Sequence, residues 1–177
     1  NSNLGQLNSN LRLLILLLIF STFNPCYAKT DDVEHFGEQV FDDQPLKDEI
    51  ILPDWFKVSF LELQEDIKEV SENHKRGLIV YFGQKNCAYC KAQLDNNWGR
   101  KDILNYTLKY FDVIAINVRG QKTVTGLDGK TYTEKSYSVA EKTNFTPSLV
   151  FYDLKGKEVL RLRGYRPPYQ FQAALEY

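Results

Sequence analysis

The chain has 177 residues, 43% of them hydrophobic, with 22 basic and 23 acidic side chains and three cysteines. That length suits one domain of ordinary size plus extra chain, and 11 Tyr, 11 Phe and 2 Trp supply material for a core, which excludes wholesale disorder. A formal charge of −1 excludes a general nucleic-acid binder, which needs a concentrated basic surface, and three cysteines are too few for a disulfide-stapled miniprotein.

Arg12 precedes an unbroken apolar run from Leu13 to Phe20, and small residues, Cys26 and Ala28, follow. This pattern predicts a secretory signal peptide over residues 1–28, cut after Ala28. The run is too short to cross a bilayer, which takes about 20 apolar residues, so an uncleaved N-terminal anchor is the lesser alternative. A lipoprotein site at Cys26 is weaker still, because Pro25 precedes it. Export removes Cys26 and leaves Cys87 and Cys90 in an oxidising compartment, expected to be a bacterial-type periplasm. The missing initiator Met and an end inside a helical stretch point to a fragment. Residues 29–50 are polar, acidic and aperiodic, and 29–57 reads as an irregular lead-in to a domain over 58–177.

Phe60, Leu63, Ile67 and Val70 recur at helical spacing, which predicts a helix over 59–75 with Ser59 as N-cap and Gly77 as stop. GLIVYFG (77–83) reads as a buried strand, and QKNCAYCKAQLDNNWGR as a loop that becomes a helix at the first cysteine and ends by Gly99. FDVIAINV (111–118) is a second strand. Thr123–Thr125 and Thr131–Thr133 flank a glycine turn as a small inserted hairpin. A short helix over 136–143 follows, then SLVFYD and KEVLRLRG as an antiparallel hairpin, then a helix opened by Pro167. Strands separated by helices are expected to pair in parallel, the last two antiparallel.

Cys87-Ala-Tyr-Cys90 falls directly after a buried strand, at the start of a helix. Unpaired amides and the helix dipole favour negative charge there, and Lys85 and Lys91 push the same way, so Cys87 is predicted to be held partly as thiolate. A thiolate attacks disulfides, and a second sulfur one turn on can resolve the mixed disulfide. Cys87 is thus the candidate exposed nucleophile and Cys90 the buried resolving thiol. Two other readings stay open. Zinc needs four ligands, and His35 and His74 lack metal-like spacing, so no metal site is assigned. An inert structural disulfide would close a two-residue loop and constrain little of the unfolded chain.

The strand–CxxC–helix unit, the following strand and helix, Thr146-Pro147 and the terminal hairpin together resemble the thioredoxin superfamily over residues 58–177. The stretch from Phe145 to Tyr165 is most similar to the SoxW-like periplasmic thioredoxins. The resemblance implies a three-layer α/β/α fold with a central mixed sheet ending in an antiparallel hairpin. It implies thiol:disulfide oxidoreductase activity, in the reducing direction, with no cofactor. Pro147 matches the family's cis-proline, which faces the cysteines and blocks metal binding at the thiols. Thr146 would pair its backbone with an extended substrate segment, and Gly164 would line the same groove. Expected partners are a protein carrying a disulfide and a membrane electron donor of the DsbD type, with the chain a monomer.

The chain departs from thioredoxin proper at three positions. Tyr81 stands where a buried aspartate is usual, Ala115 where its lysine partner is, and Asn86 where a tryptophan precedes the first cysteine. Trp55 and Phe56 read as a lid packed on the domain, His74 as a partner of a helix C-terminus, and Arg161, Arg163 and Arg166 as a solvated edge, with Arg166 near the substrate groove. The alternative function is a non-catalytic binding module or a copper-handling protein. Copper delivery in this superfamily typically uses CxxxC with a distant histidine, and here no histidine follows residue 74.

Overall fold

The computed structural model describes Leu46 and residues 48–177; the expected signal peptide and most of the lead-in lie outside the described residues. In chain order the elements are α1 (Leu63–Glu72), β1 (Gly77–Gly83), α2 (Ala88–Ala92), a π-helical turn (Gln93–Trp98) that continues it, α3 (Lys101–Tyr110), β2 (Phe111–Asn117), β3 (Thr123–Thr125), β4 (Thr131–Thr133), α4 (Glu134–Ala140), β5 (Ser148–Asp153), β6 (Glu158–Arg163) and α5 (Pro168–Glu176). The main sheet has the order β2-β1-β5-β6, while β3 and β4 form a separate hairpin.

All seven residues of β1 are buried, which requires apolar cover on both faces. Successive strand residues point to opposite faces. Leu78, Val80 and Phe82 meet Leu63, Ile67 and Val70 of α1 and Ile114 and Ile116 of β2. Ile79 and Tyr81 meet Leu94, Trp98 and Ile103, together with Phe171 and Leu175 of α5. Each large apolar side chain fully buried contributes about 1.5–3 kcal/mol, so both layers hold the sheet. This is the expected three-layer α/β/α architecture.

One strand direction differs from expectation. β2 is parallel to β1, with Ile79 opposite Val113, but β5 is antiparallel, with Val80 opposite Val150. The seven residues of α4 rise only about 10 Å. The chain therefore re-enters the sheet at the end where β2 stops, with Ser148 opposite Phe82. The terminal β5–β6 pair is antiparallel as expected.

The first helix is shorter than its apolar spacing predicts. The Thr125 N–H donates to Leu61 O at 2.9 Å, and Glu62 bridges Thr125, so this backbone is committed to the inserted hairpin. Ser59 is no N-cap: its Oγ donates to Asp66 Oδ2 at 2.6 Å and accepts from the Leu61 N–H at 2.7 Å. Phe60, expected on the apolar stripe, is 94% exposed, and Leu61 enters the core instead, at φ 62°. No element is expected over 100–110, yet α3 fills it, burying only Ile103 and Thr107. The next helix, α4, starts at Glu134 because Thr133 caps it, accepting from the Ser136 N–H at 3.1 Å while Ser136 Oγ accepts from the Thr133 N–H at 2.9 Å.

The strap over residues 48–57 packs as a lid. Trp55 and Phe56 each place their rings 5.4 Å from Trp98, and the Lys57 N–H donates to Val113 O at 2.8 Å. Arg161 is not the solvated residue expected of the edge strand. Its Nη2 donates to Glu158 Oε2 at 2.6 Å and its Nη1 to the Glu141 carbonyl, whereas Arg163 is exposed. His74 is also exposed and adopts the left-handed conformation past the end of α1, at φ 57°.

Candidate active site

Beyond β1 the chain turns through Gln84, Lys85 and Asn86 into α2. Cys87 occupies the N-cap and Cys90 lies one turn on, joined by a disulfide with the Cα atoms 5.1 Å apart. The Cys90 backbone N–H donates to Cys87 Sγ at 3.1 Å. An otherwise unpaired amide of the first turn thus points at the sulfur where thiolate charge would sit. Cys90 is wholly buried, and Cys87, expected to be exposed, is buried as well at 7%, because the Thr146–Pro147 turn lies against its sulfur.

Lys85 and Lys91 do not supply the expected cationic push. Lys85 Nζ sits 2.9 Å from Glu49 Oε2, and Lys91 pairs with Asp95. A carboxylate in contact cancels most of each lysine's field at the sulfur, leaving the helix end as the main source. Asn86, the residue in the usual tryptophan position, donates from Nδ2 to Leu46 O at 2.9 Å and so helps tether the strap.

The Thr146–Pro147 peptide is cis. Thr146 Oγ1 lies 3.5 Å from Cys87 Sγ, although the residues are far apart in sequence. The Gly164 N–H donates to Pro147 O at 2.8 Å, which sets the glycine beside the proline turn. The glycine itself has local reasons: its φ is +78°, and a Cβ there would come within 3.2 Å of Phe145 Cε1. Phe145, 64% exposed, and Tyr89, 41% exposed, are large apolar side chains of the same region that sequence reasoning did not single out. Cys87, Thr146, Pro147 and Gly164 are thus brought together. Arg166 is exposed two residues beyond Gly164.

Tyr81 stands opposite Ala115 in the parallel register, so the usual aspartate–lysine pair has no counterpart at these positions. Burial pushes the Tyr81 phenol well above its ordinary range, which keeps it protonated. Tyr81 and Glu134 line a common cleft. Glu134 is buried there, but its oxygens accept from the Asn117 N–H at 3.0 Å and the Lys122 N–H at 3.2 Å. That carboxylate is therefore engaged in holding the loop after β2. Among the described residues no group of three or more His, Cys, Asp or Glu could hold a metal ion.

The family model of a thioredoxin-like domain matches residues 63–177. The chain belongs to that family. A thioredoxin-fold protein from Helicobacter pylori is 25% identical, aligned over 58% of this chain and 68% of its own, with a TM-score of 0.50. A thioredoxin from Thermus thermophilus is 23% identical over 63% and 80%, with a TM-score of 0.49. The DsbH oxidoreductase is 17% identical over 72% and 92%, also at 0.49. No curated protein matches the sequence. In this thioredoxin-like chain the CxxC cysteines form the disulfide that opens α2. No helix among the described residues is long and apolar enough to cross a membrane.

Proposed function

We propose that this chain is a thiol:disulfide oxidoreductase that reduces protein disulfides through Cys87 and Cys90. The observation that carries the reading is Cys87 Sγ itself, which accepts from the Cys90 N–H at 3.1 Å and lies 3.5 Å from Thr146 Oγ1 beside the proline turn. In the dithiol form, the Cys87 thiolate attacks one sulfur of the substrate disulfide. A bond forms between Cys87 and that sulfur, the substrate S–S bond breaks, and the other substrate sulfur leaves as a thiolate. That leaving thiolate, with an ordinary pKa of about 8.5, takes the Cys90 proton. Neutral Tyr81 and the engaged Glu134 are poorer acceptors. Cys90 then attacks Cys87 Sγ, closing the protein disulfide and expelling the bound substrate sulfur as a thiolate. This takes a proton from water, matching the one Cys87 gave up on ionising, and the substrate leaves as a dithiol, reduced by two electrons. The Thr146 backbone and Pro147 dock the substrate segment, with Gly164 beside them lining the same groove.

The similarity of Phe145–Tyr165 to SoxW-like periplasmic thioredoxins supports the reducing direction. It also supports a periplasmic setting after cleavage of residues 1–28, with 29–57 as lead-in and 58–177 as the working domain. A monomer acting on protein disulfides and recharged by a membrane reductase of the DsbD type completes the proposal. The test is the reduction potential of the Cys87–Cys90 pair against glutathione or dithiothreitol buffers. A reversible value near −270 mV, roughly that of thioredoxin, is expected. A value near about −120 mV would make the chain an oxidant, and resistance to reduction far below about −300 mV would make the disulfide structural.

A further inference from the structure

Past Ala92 the cysteine-bearing helix widens into the π-helical turn, and two pairs of side chains four residues apart face inward. Leu94 and Trp98 enter the apolar layer. Gln93 and Asn97 form an amide pair, 1% and 0% exposed. Asn97 Nδ2 donates to Gln93 Oε1 at 2.9 Å and to the backbone carbonyl of Arg166 at 2.9 Å. Turning the Asn97 amide over would set its Oδ1 against both of these oxygens, so the acceptors fix its orientation. Packing alone gives no reason for the pair. Asn97 Oδ1 and Gln93 Nε2 are buried without a partner among the described residues, a cost that two leucines would avoid.

The Arg166 carbonyl belongs to the loop between β6 and α5. Two residues earlier the Gly164 N–H donates to Pro147 O at 2.8 Å, and the neighbouring Thr146 Oγ1 is 3.5 Å from Cys87 Sγ. These contacts close a ring: cysteine helix, Asn97, the 164–166 loop, proline turn, and back to Cys87. We propose that Asn97, seated by Gln93, is a positioning residue that sets the distance between the cysteine helix and the Gly164 wall, and so selects extended polypeptide disulfides over small ones. This rests on the reading of Cys87 as the exchanging sulfur and of Thr146, Pro147 and Gly164 as the groove. A small disulfide needs access to one sulfur. A polypeptide segment must bond through directional backbone groups and needs both walls at a fixed separation.

The test compares wild-type protein and Asn97→Leu on insulin and on bis(hydroxyethyl) disulfide, with reduction driven by dithiothreitol. Losing both buried hydrogen bonds of Asn97, to Gln93 Oε1 and to the Arg166 carbonyl, is expected to raise KM for insulin about five- to tenfold, with kcat and the small-disulfide rate within about twofold of wild type. An unchanged KM for insulin overturns the proposal, as does an equal slowing on both substrates. Should Asn97→Leu fail to fold, Gln93→Leu keeps the bond to Arg166 and removes only its seat. That variant is expected to raise KM for insulin about twofold without slowing the small disulfide, and an unchanged KM again overturns the proposal. Wild-type protein inert on both disulfides would instead remove the exchange reading on which the proposal rests.

Discussion

The layers on the two faces of the sheet are built differently. Under α1, Leu63, Ile67 and Val70 meet Val80, Ile114 and Ile116, branched aliphatics at helical and strand spacing, and the aromatic rings of this layer, Phe82, Tyr137 and Tyr152, do not centre on one residue. Under α2 the layer centres on Trp98, whose ring lies 5.3 Å from Phe171, 5.4 Å from Phe56 and 6.0 Å from Tyr81. Directional bonds run through this second layer. Trp98 Nε1 donates to Thr107 Oγ1 at 3.1 Å, and the Gln93–Asn97 pair lies alongside. Nondirectional packing suffices to hold a sheet, whereas placing a sulfur against a proline turn calls for bonds with angles.

The comparison can be broken most severely at the cysteines. Cys87→Ser should abolish disulfide exchange, while Cys90→Ser should accumulate mixed disulfides through Cys87, read by mass spectrometry without reductant. Full activity in Cys87→Ser would sink the mechanism. Next in size, Trp98→Ala should lose about 3–5 kcal/mol in denaturant unfolding, the cost of an aromatic cavity, and more than Leu63→Ala across the sheet. A smaller loss than Leu63→Ala would mean that the aromatic layer is not the tighter one.

A subtler difference concerns alkaline pH. Burial raises the phenol of Tyr81, and also those of Tyr137 and Tyr152 on the other face, above the ordinary value of 10.0. A pKa raised on folding leaves stability intact below the unfolded value and erodes it as pH climbs past about 10, where the unfolded chain ionises first. The melting temperature should therefore fall above that pH, and Tyr81→Phe should make the fall shallower. An unchanged slope would show that Tyr81 ionises freely in the folded protein. Smallest of all, Lys91→Ala removes an exposed pair with Asp95 and should change stability by less than about 0.5 kcal/mol in the same unfolding measurement.

The same contrast explains what could be read in advance. β1 was legible because seven buried residues leave an unbroken apolar run, and the cysteine motif because two sulfurs at that spacing open a helix. The direction of β5 was not legible, since it depends on where a short helix returns the chain. Phe60 fits the α1 stripe and still points to solvent, because pairing with the inserted hairpin overrides helical spacing. The α3 helix carries a helical stripe, Ile103, Tyr106, Thr107 and Tyr110, that sequence reasoning missed between the cysteine helix and β2. Nothing in the sequence sets Gln93 and Asn97 apart from surface amides, and only the long-range contact with Arg166 reveals their place inside.

The strap has a consequence for where this module can be cut. Family likeness begins at Leu63, yet Trp55 and Phe56 close over Trp98, and the Ile50 N–H donates to Lys85 O at 2.8 Å beside the cysteine loop. A gene fragment excised at the point of recognisable ancestry would encode the sheet and both cysteines but lay the indole of Trp98 open to water. The border that marks kinship and the border that makes a transplantable part therefore fall on opposite sides of the strap.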